Sequence, residues 1–289
     1  MLPPINIDPK TFLYKHCSLP ALPTILIKIQ KLINSGEGDF TEITELIQKD
    51  TALTAQVTKI VNSAYYSLPF EVTKVKMALS YLGINEIHRI VLNISIMNGL
   101  ADGEEDLFNQ VWSHSLHTAL CAKNLALKYE PFLDPGEVWT LGLLHDIGKL
   151  VYLKFFPDHY KAISKLAEMN GCLFSEAEAE YSMPSSAYLG GLLCDRWRLP
   201  QRIKDVCLYH SLHDIDSLSE SQNSAKPFIR IVILSNLLSI LTMNVMNPKK
   251  QEEIKQVIAD MLSLDKTSLL LLLGELLELK DEAINLILT

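Results

Sequence analysis

The sequence predicts an all-α fold, and three observations support this prediction. The chain of 289 residues has only 12 glycines and 8% aromatic residues, whereas sandwiches and barrels need many turn glycines and aromatic strand residues. Leucine and isoleucine are abundant within the 48% of hydrophobic residues, and leucine favours helices. Apolar residues recur at helical spacing, with no alternating strand pattern of useful length. The length suits one large domain or two closely packed ones.

The N-terminal half is predicted to hold five helices. Residues 1–22 are proline-rich and predicted to be irregular. Pro23 suits the start of a helix through Asn34, where the missing N–H donor is not needed. The other four are indicated by apolar periodicity around Ile43–Ile47 and over about Thr51–Ser63, Lys74–Leu82 and Asn85–Gly99. The polar stretch Ala101–Asp106 is then the expected boundary between the halves.

The second half is also predicted to be helical. Asp134, Pro135 and Glu137 form a helix-start signal of N-cap, first-turn proline and capping-box acid, and the helix that follows is predicted to run unbroken to about Phe155. The serine-rich segment His210–Ser224 is predicted to be a loop. The other predicted helices cover about Phe108–Tyr129, Pro157–Asn170, Ser175–Tyr181, Ser185–Trp197, Pro200–Tyr209, Pro227–Met246, Pro248–Leu262 and Lys266–Ile287.

Charge and composition argue against several classes of protein. The 26 basic and 34 acidic residues give a net charge of −8, which argues against a nucleic-acid binder with a basic face. The two most apolar stretches, Ile229–Val245 and Leu269–Leu279, are interrupted by charged or amide residues, so no membrane span is expected. The five cysteines form no CxxC pair, and the N-terminus shows no signal peptide pattern. We therefore expect a cytoplasmic protein in a reducing compartment.

Three groups of residues could carry chemistry. His145 and Asp146 follow an apolar helical stretch, where a shared metal ion would satisfy both, and Lys149 could neutralise a phosphate. His114 and His117 share a helix face, although for His117 an ordinary solvent-facing role is favoured. His210 and His213 could enter a cleft, but a position at a helix end, which explains them without a ligand, is favoured. No glycine-rich phosphate loop and no nucleophile elbow is present.

Several of these residues lie in recognisable motifs. His114 and the sequence His145-Asp-Ile-Gly-Lys149 are similar to the first metal ligands of HD-superfamily phosphohydrolases. Further motifs are Leu19–Pro23, Lys49–Leu53, Asn62–Tyr66 and Ala78–Gly83 in the N-terminal half, followed later by Phe108–His114 and Leu189–Pro200. In this order and spacing they resemble the HDOD domain, the HD-related output domain of bacterial signalling proteins.

The resemblance implies an N-terminal helical bundle packed on an HD-type bundle. On this basis we divide the chain into an N-terminal subdomain (1–104), an HD-like subdomain (105–247) and a C-terminal helical extension (248–289). The resemblance also implies a set of metal ligands, His114, His145 and Asp146, with His210 as a possible addition. Two expected ligands are replaced, because the positions of a further histidine and a later aspartate fall on Ser186 and Asn236. Hydroxyl and amide groups are poor replacements for imidazole and carboxylate ligands.

Two functions therefore remain open. The first is a signalling output or scaffold module without catalytic activity that binds a protein partner or small ligand. The second is a metal-dependent phosphohydrolase acting on a nucleotide or phosphate ester, in which Asp146 helps to hold the metal and Lys149 steadies the phosphate. With three secure ligands, we expect either no cofactor or one weakly held divalent ion. The leucine-rich segment near residues 264–289 is expected to pack across the core or to form a homodimer contact.

Overall fold

A computed structural model of the chain describes residues 24–35, 40–63, 66, 68–101, 104–181, 183–211, 214, 224–244 and 246–288. Within these residues every regular element is an α-helix, which confirms the predicted fold class. The helices are α1 (Thr24–Ser35), α2 (Phe40–Gln48), α3 (Thr51–Val61), α4 (Val75–Leu100), α5 (Glu105–Tyr129), α6 (Pro135–Leu144), α7 (Ile147–Phe155), α8 (Pro157–Asn170), α9 (Phe174–Ala179), α10 (Ser186–Trp197), α11 (Gln201–Leu208), α12 (Lys226–Met243), α13 (Pro248–Leu262) and α14 (Lys266–Leu288).

The described residues form two compact units, one within Leu19–Leu100 and one within Ala101–Thr289. In the smaller unit, α1, α2 and α3 all pack against the long helix α4. Asp50 caps α3 by accepting a hydrogen bond from the backbone of Leu53 at 3.0 Å. Helix α4 is bent at Gly83, whose φ of 80° and ψ of 168° are not helical. The predicted pair of helical segments on either side of Gly83 is therefore present, joined through this glycine.

The larger unit is built around α5 and α12. Helix α5 packs against α6, α12 and α14, and α12 is buried from Phe228 to Ser239 except at Arg230. Helix α12 is also long and apolar enough to meet a compositional test for a membrane span, and it is the one described helix that does so. Its burial within the bundle accounts for this apolar character.

The structure corrects the prediction of one unbroken helix from Asp134 to Phe155. The start is as expected, since Asp134 accepts a hydrogen bond from the backbone of Gly136 at 2.9 Å. The helix then ends at Leu144, and a new one begins at Ile147. Asp146 has φ −103° and ψ 19°, which interrupts the helical backbone. Apolar periodicity continues across this break, so the sequence pattern did not predict that the helix ends there.

The C-terminal helices belong to the larger unit. Helix α14 packs on α5, α12 and α13 through one face that includes Leu269, Leu272, Leu276 and Ala283. An ion pair between Lys128 of α5 and Glu275 adds to this docking. Packing across the core, one of the two expected roles of this segment, is thus observed. The predicted irregular segment 1–22 and most of the predicted loop after His210 lie outside the described residues.

Candidate functional site

The candidate site is centred on the carboxylate of Asp146, in the break between α6 and α7. Three imidazole nitrogens lie around it: Nε2 of His145 is 3.1 Å and Nε2 of His114 is 3.4 Å from Oδ2, and Nε2 of His210 is 3.2 Å from Oδ1. The ammonium group of Lys149 lies 2.6 Å from Oδ2. His114 comes from α5, Lys149 from α7, and His210 from the end of α11. Every residue of the predicted metal set is therefore present at one carboxylate.

Close packing of α7 against α10 holds the break in place. A side chain at Gly148 would put its Cβ 1.8 Å from the backbone oxygen of Ser186 and 2.8 Å from the backbone nitrogen of Gly190. Both are backbone atoms, which cannot move aside as a flexible side chain could. Glycine is therefore required at position 148 so that the start of α7, which follows Asp146, can lie against α10.

Backbone carbonyl groups set the tautomers of two of the histidines. Nδ1 of His145 lies 2.7 Å from the carbonyl oxygen of Gly142, and Nδ1 of His210 lies 3.0 Å from that of Cys207. A carbonyl oxygen only accepts hydrogen bonds, so each Nδ1 carries a proton and donates it. In a neutral ring the Nε2 atom is then an unprotonated acceptor. Both of these lone pairs lie next to the negatively charged carboxylate of Asp146.

Three buried atoms at the centre of the site have no hydrogen-bond partner: Nε2 of His114, Nε2 of His145 and Oδ1 of Asp146. Buried polar atoms are nearly always paired with a protein group, water or an ion, so these atoms indicate a position for a water molecule or an ion. A divalent cation would satisfy all three at once. Imidazole nitrogen and carboxylate oxygen are the ligand types that zinc and similar ions prefer.

The electrostatics of the cluster favour a charged carboxylate. Burial alone would raise the pKa of Asp146, but the nearby His145 and Lys149 hold it well below its usual range. Burial lowers the pKa of His114 to about 4, so this ring is neutral at pH 7. Burial also lowers the pKa of His210, but the adjacent carboxylate of Asp146 outweighs this effect, and the net shift is upward.

The metal-binding donors that lie closest together are the three that the sequence predicted. One ligand atom from each of His114, His145 and Asp146 lies within 4.8 Å of the others. His210, considered only a possible addition, lies 3.2 Å from the other carboxylate oxygen, Oδ1, and is outside this close group. Structural and catalytic zinc sites use three or four protein ligands. The close group therefore has the three ligands that the sequence predicted, and His210 lies beside it at the same carboxylate.

Ser186 and Asn236, which replace two expected ligands, lie in the wall of the same site. Both line a cavity of about 230 Å³ together with Lys149, Glu178 and His210. The hydroxyl of Ser186 donates to Glu178 at 3.2 Å, and the Ser186 backbone N–H donates to the same carboxyl at 2.6 Å. The amide oxygen of Asn236 is buried without a hydrogen-bond partner. These positions border the site, but with side chains poorly suited to hold a second ion.

Sequence reasoning did not identify Glu178. It lies in α9 within an alternation of alanine and glutamate, and nothing in that pattern distinguishes the buried Glu178 from Glu176 or Glu180. Burial raises the pKa of the Glu178 carboxyl to about 7 against the opposing effect of the Ser186 hydrogen bonds. A second and larger cavity of about 380 Å³ opens beside His114 and Lys149 and includes Tyr160 and Phe174.

Two other predicted histidines have different outcomes. His117 is fully buried instead of facing solvent, and it bonds to Ser239 and to the backbone oxygen of Leu276 rather than joining the cluster. A role without a ligand, which the sequence favoured for His117, agrees with these contacts. His213 lies outside the described residues. Cys194 and Cys207 are both free and buried, with their sulfur atoms 3.8 Å apart.

Comparison with known proteins finds a family match over most of the chain. Residues 19–213 match the HDOD domain family. A curated relative, an uncharacterized protein of Treponema pallidum (strain Nichols), is 22% identical over 219 residues, or 76% of this chain. That match covers 42% of the relative, so the chain spans about two-fifths of its length.

Solved structures share the whole architecture. An HDOD domain protein of Geobacter sulfurreducens has 25% sequence identity and a TM-score of 0.74, with 97% of each chain covered. A candidate phosphohydrolase of Shewanella amazonensis SB2B has 18% identity and a TM-score of 0.70, again over 97% of each chain. A candidate signal transduction protein of Marinobacter aquaeolei VT8 has 21% identity and a TM-score of 0.69, over 92% of this chain and 58% of that one.

Proposed function

Because the chain belongs to the HDOD domain family, we propose that it acts as a signal-transduction output module whose His/Asp centre binds one divalent metal ion. The observation that carries the proposal is the convergence of three imidazole Nε2 atoms on the carboxylate of Asp146. The ligands would be His114, His145 and Asp146, with His210 at the other carboxylate oxygen as the fourth. When bound, the ion supplies positive charge and Lewis acidity to a ligand in the adjoining cavities.

The chain's own groups determine what such a ligand would meet. Lys149 lines both cavities, so an anionic group entering either one meets its ammonium. Asp146 beside it raises the pKa of Lys149 despite burial, so the amine keeps its charge. The ring of Phe174 lies 5.0 Å from this ammonium and, with Tyr160, offers an aromatic surface to the larger cavity. A small anionic ligand or an acidic segment of a signalling partner fits this arrangement.

We favour binding without turnover. Two-metal hydrolysis needs further anionic or imidazole ligands for the second ion. The described residues offer Ser186 and Asn236 at those positions, and the Ser186 hydroxyl is already bonded to Glu178. In addition, Oδ2 of Asp146 is bonded to Lys149 at 2.6 Å, which leaves it less able to bridge two ions.

The alternative function is hydrolysis of a phosphate ester or nucleotide at a single metal ion. The specific observation in its favour is the position of Lys149, which could stabilise the negative charge of a phosphoryl group next to the ion. In that case Lys149 would be required for turnover.

Metal analysis and a phosphatase panel together separate these functions. Protein purified without chelator is expected to contain one divalent ion per chain, and His145→Ala is expected to lose it. His88→Ala, which replaces a histidine of the smaller unit, serves as the matched control. Wild-type protein without metal, even after dialysis against Zn²⁺ or Mn²⁺, would refute the proposal. Turnover of nucleotides or cyclic dinucleotides that disappears in Lys149→Met would establish the alternative.

A further inference from the structure

A chain of buried hydrogen bonds connects α14 to the candidate metal site. The backbone oxygen of Leu276 lies 2.9 Å from Nε2 of His117, and Nδ1 of His117 lies 3.0 Å from the hydroxyl oxygen of Ser239. That hydroxyl oxygen lies 3.1 Å from Nδ1 of His114. The Nε2 atom of His114 then lies 3.4 Å from Oδ2 of Asp146. Four elements, α14, α5, α12 and the α6–α7 break, thus contribute to one continuous path.

The direction of every bond in this chain follows from its first acceptor. The carbonyl oxygen of Leu276 only accepts, so Nε2 of His117 carries the proton and donates it. Nδ1 of a neutral His117 is then an acceptor and needs a donor, which the hydroxyl of Ser239 provides. With its only proton used, Ser239 can only accept from His114, so Nδ1 of His114 must carry a proton.

The consequence is at the other side of the His114 ring. With its proton on Nδ1, neutral His114 has a bare lone pair on Nε2, the atom that lies beside Asp146 and has no hydrogen-bond partner. This is the form of imidazole that binds a metal ion. The reverse direction would place two lone pairs against each other at His117 and Ser239, or at His117 and Leu276, across about 3 Å of buried space.

The surroundings leave few competing partners. His117 and Ser239 are fully buried, so water does not replace these bonds readily. The hydroxyl of Ser239 has two other neighbours, the backbone oxygen of His114 and the sulfur of Met243, both at the longer distance of 3.5 Å. Burial also lowers the pKa of His117, which agrees with a neutral ring.

We propose that α14 sets the tautomer of His114 through His117 and Ser239, and so prepares the candidate site for a metal ion. This inference deepens the proposed function and rests on it. His117 and Ser239 are positioning residues, since they act through His114 and not on the ion. Groups that orient metal-binding histidines in this way commonly contribute a factor of about 10–100 to metal affinity. Docking of α14 and metal binding are then coupled, and each favours the other.

The test compares two buried serines of α12, of which Ser239 bonds to His114 and Ser235 bonds within its own helix. Ser239→Ala removes the link. Ser235→Ala is the matched control, because Ser235 is also buried and its hydroxyl donates to the backbone of Ile231 within the same helix at 2.7 Å. Titration with Zn²⁺ measured by calorimetry is expected to show affinity at least about 10-fold weaker for Ser239→Ala than for Ser235→Ala.

A second measurement does not depend on metal. Nitrogen-15 NMR of the histidine rings in metal-free protein distinguishes protonated from bare ring nitrogens. Wild-type His114 is expected to carry its proton on Nδ1, and Ser239→Ala is expected to shift the ring towards the Nε2 tautomer. A wild-type His114 protonated on Nε2, or equal Zn²⁺ affinity in the two serine variants, would overturn the inference. Absence of Zn²⁺ binding in all proteins with the expected tautomer would instead refute the proposed function alone.

Discussion

The pKa of Glu178 predicts that its ionisation destabilises the folded larger unit at alkaline pH. Burial raises the pKa of this carboxyl from 4.5 to about 7, so the folded state holds the proton more tightly than the unfolded chain. The stabilisation is complete below pH 4.5 and is lost as the pH rises through 7. At roughly 1.4 kcal/mol per pKa unit the whole effect is about 3 kcal/mol, of which about 2.5 kcal/mol falls between pH 5 and 8.5.

Glu178→Gln isolates this contribution. The glutamine oxygen can still accept from the backbone N–H of Ser186, and its amide can donate to the Ser186 hydroxyl, so the contacts of the neutral acid are kept. Between pH 5 and 8.5 the variant is expected to gain about 2.5 kcal/mol in free energy of unfolding relative to wild type. Other titrating groups are common to both proteins and cancel in this difference.

Urea unfolding followed by circular dichroism at both pH values measures the effect. Glu180→Gln is the control, since it replaces an exposed glutamate two residues away and should follow wild type at both values. A difference between Glu178→Gln and wild type that stays constant from pH 5 to 8.5 would show that the Glu178 carboxyl titrates normally. The argument that burial dominates at this position would then be wrong.

Three further predictions follow from packing and ligand geometry. Gly148→Ala should destabilise the protein by about 3 kcal/mol or more in urea unfolding, because its Cβ meets backbone atoms of α10, whereas Gly274→Ala, with open space around it, should be neutral or stabilising. Leu276→Ala should cost about 2–5 kcal/mol in the same assay, against less than about 0.5 kcal/mol for the exposed Leu271→Ala; equal losses would mean that α14 is not docked as described. His210→Gln should weaken Zn²⁺ binding at least about 10-fold by calorimetry, and an unchanged affinity would remove His210 from the ligand set.

The helices were predictable because their signals are local. Periodicity and the glycine at position 83 placed the two segments of α4, and Asp134 with Pro135 placed the start of α6. The break at His145 and Asp146 was not predictable in this way. It lies next to a close contact between Gly148 and α10. That contact joins residues far apart in sequence, and no local pattern records it.

For the candidate site too, local motifs identified some residues, and contacts distant in sequence were needed to identify the others. The resemblance identified His114, His145 and Asp146 because they lie in recognisable motifs. His210 lies at a helix end, where the sequence allows a simpler explanation, and only the fold shows that its ring reaches Asp146. The bonds of His117 span 122 residues to Ser239 and 159 to Leu276, so a sequence reading could assign it no partner.

Charge around Asp146 is the reason that we propose one ion at this site and not two. The described residues supply one carboxylate at the centre, and Lys149 already lies 2.6 Å from one of its oxygens. Among the residues lining the smaller cavity, the carboxyl of Glu178 has a pKa raised to about 7 by burial, and both of its oxygens are bonded to Ser186. A second divalent ion would have to ionise this group and replace those bonds, at a cost that the hydroxyl of Ser186 and the amide of Asn236 would not offset.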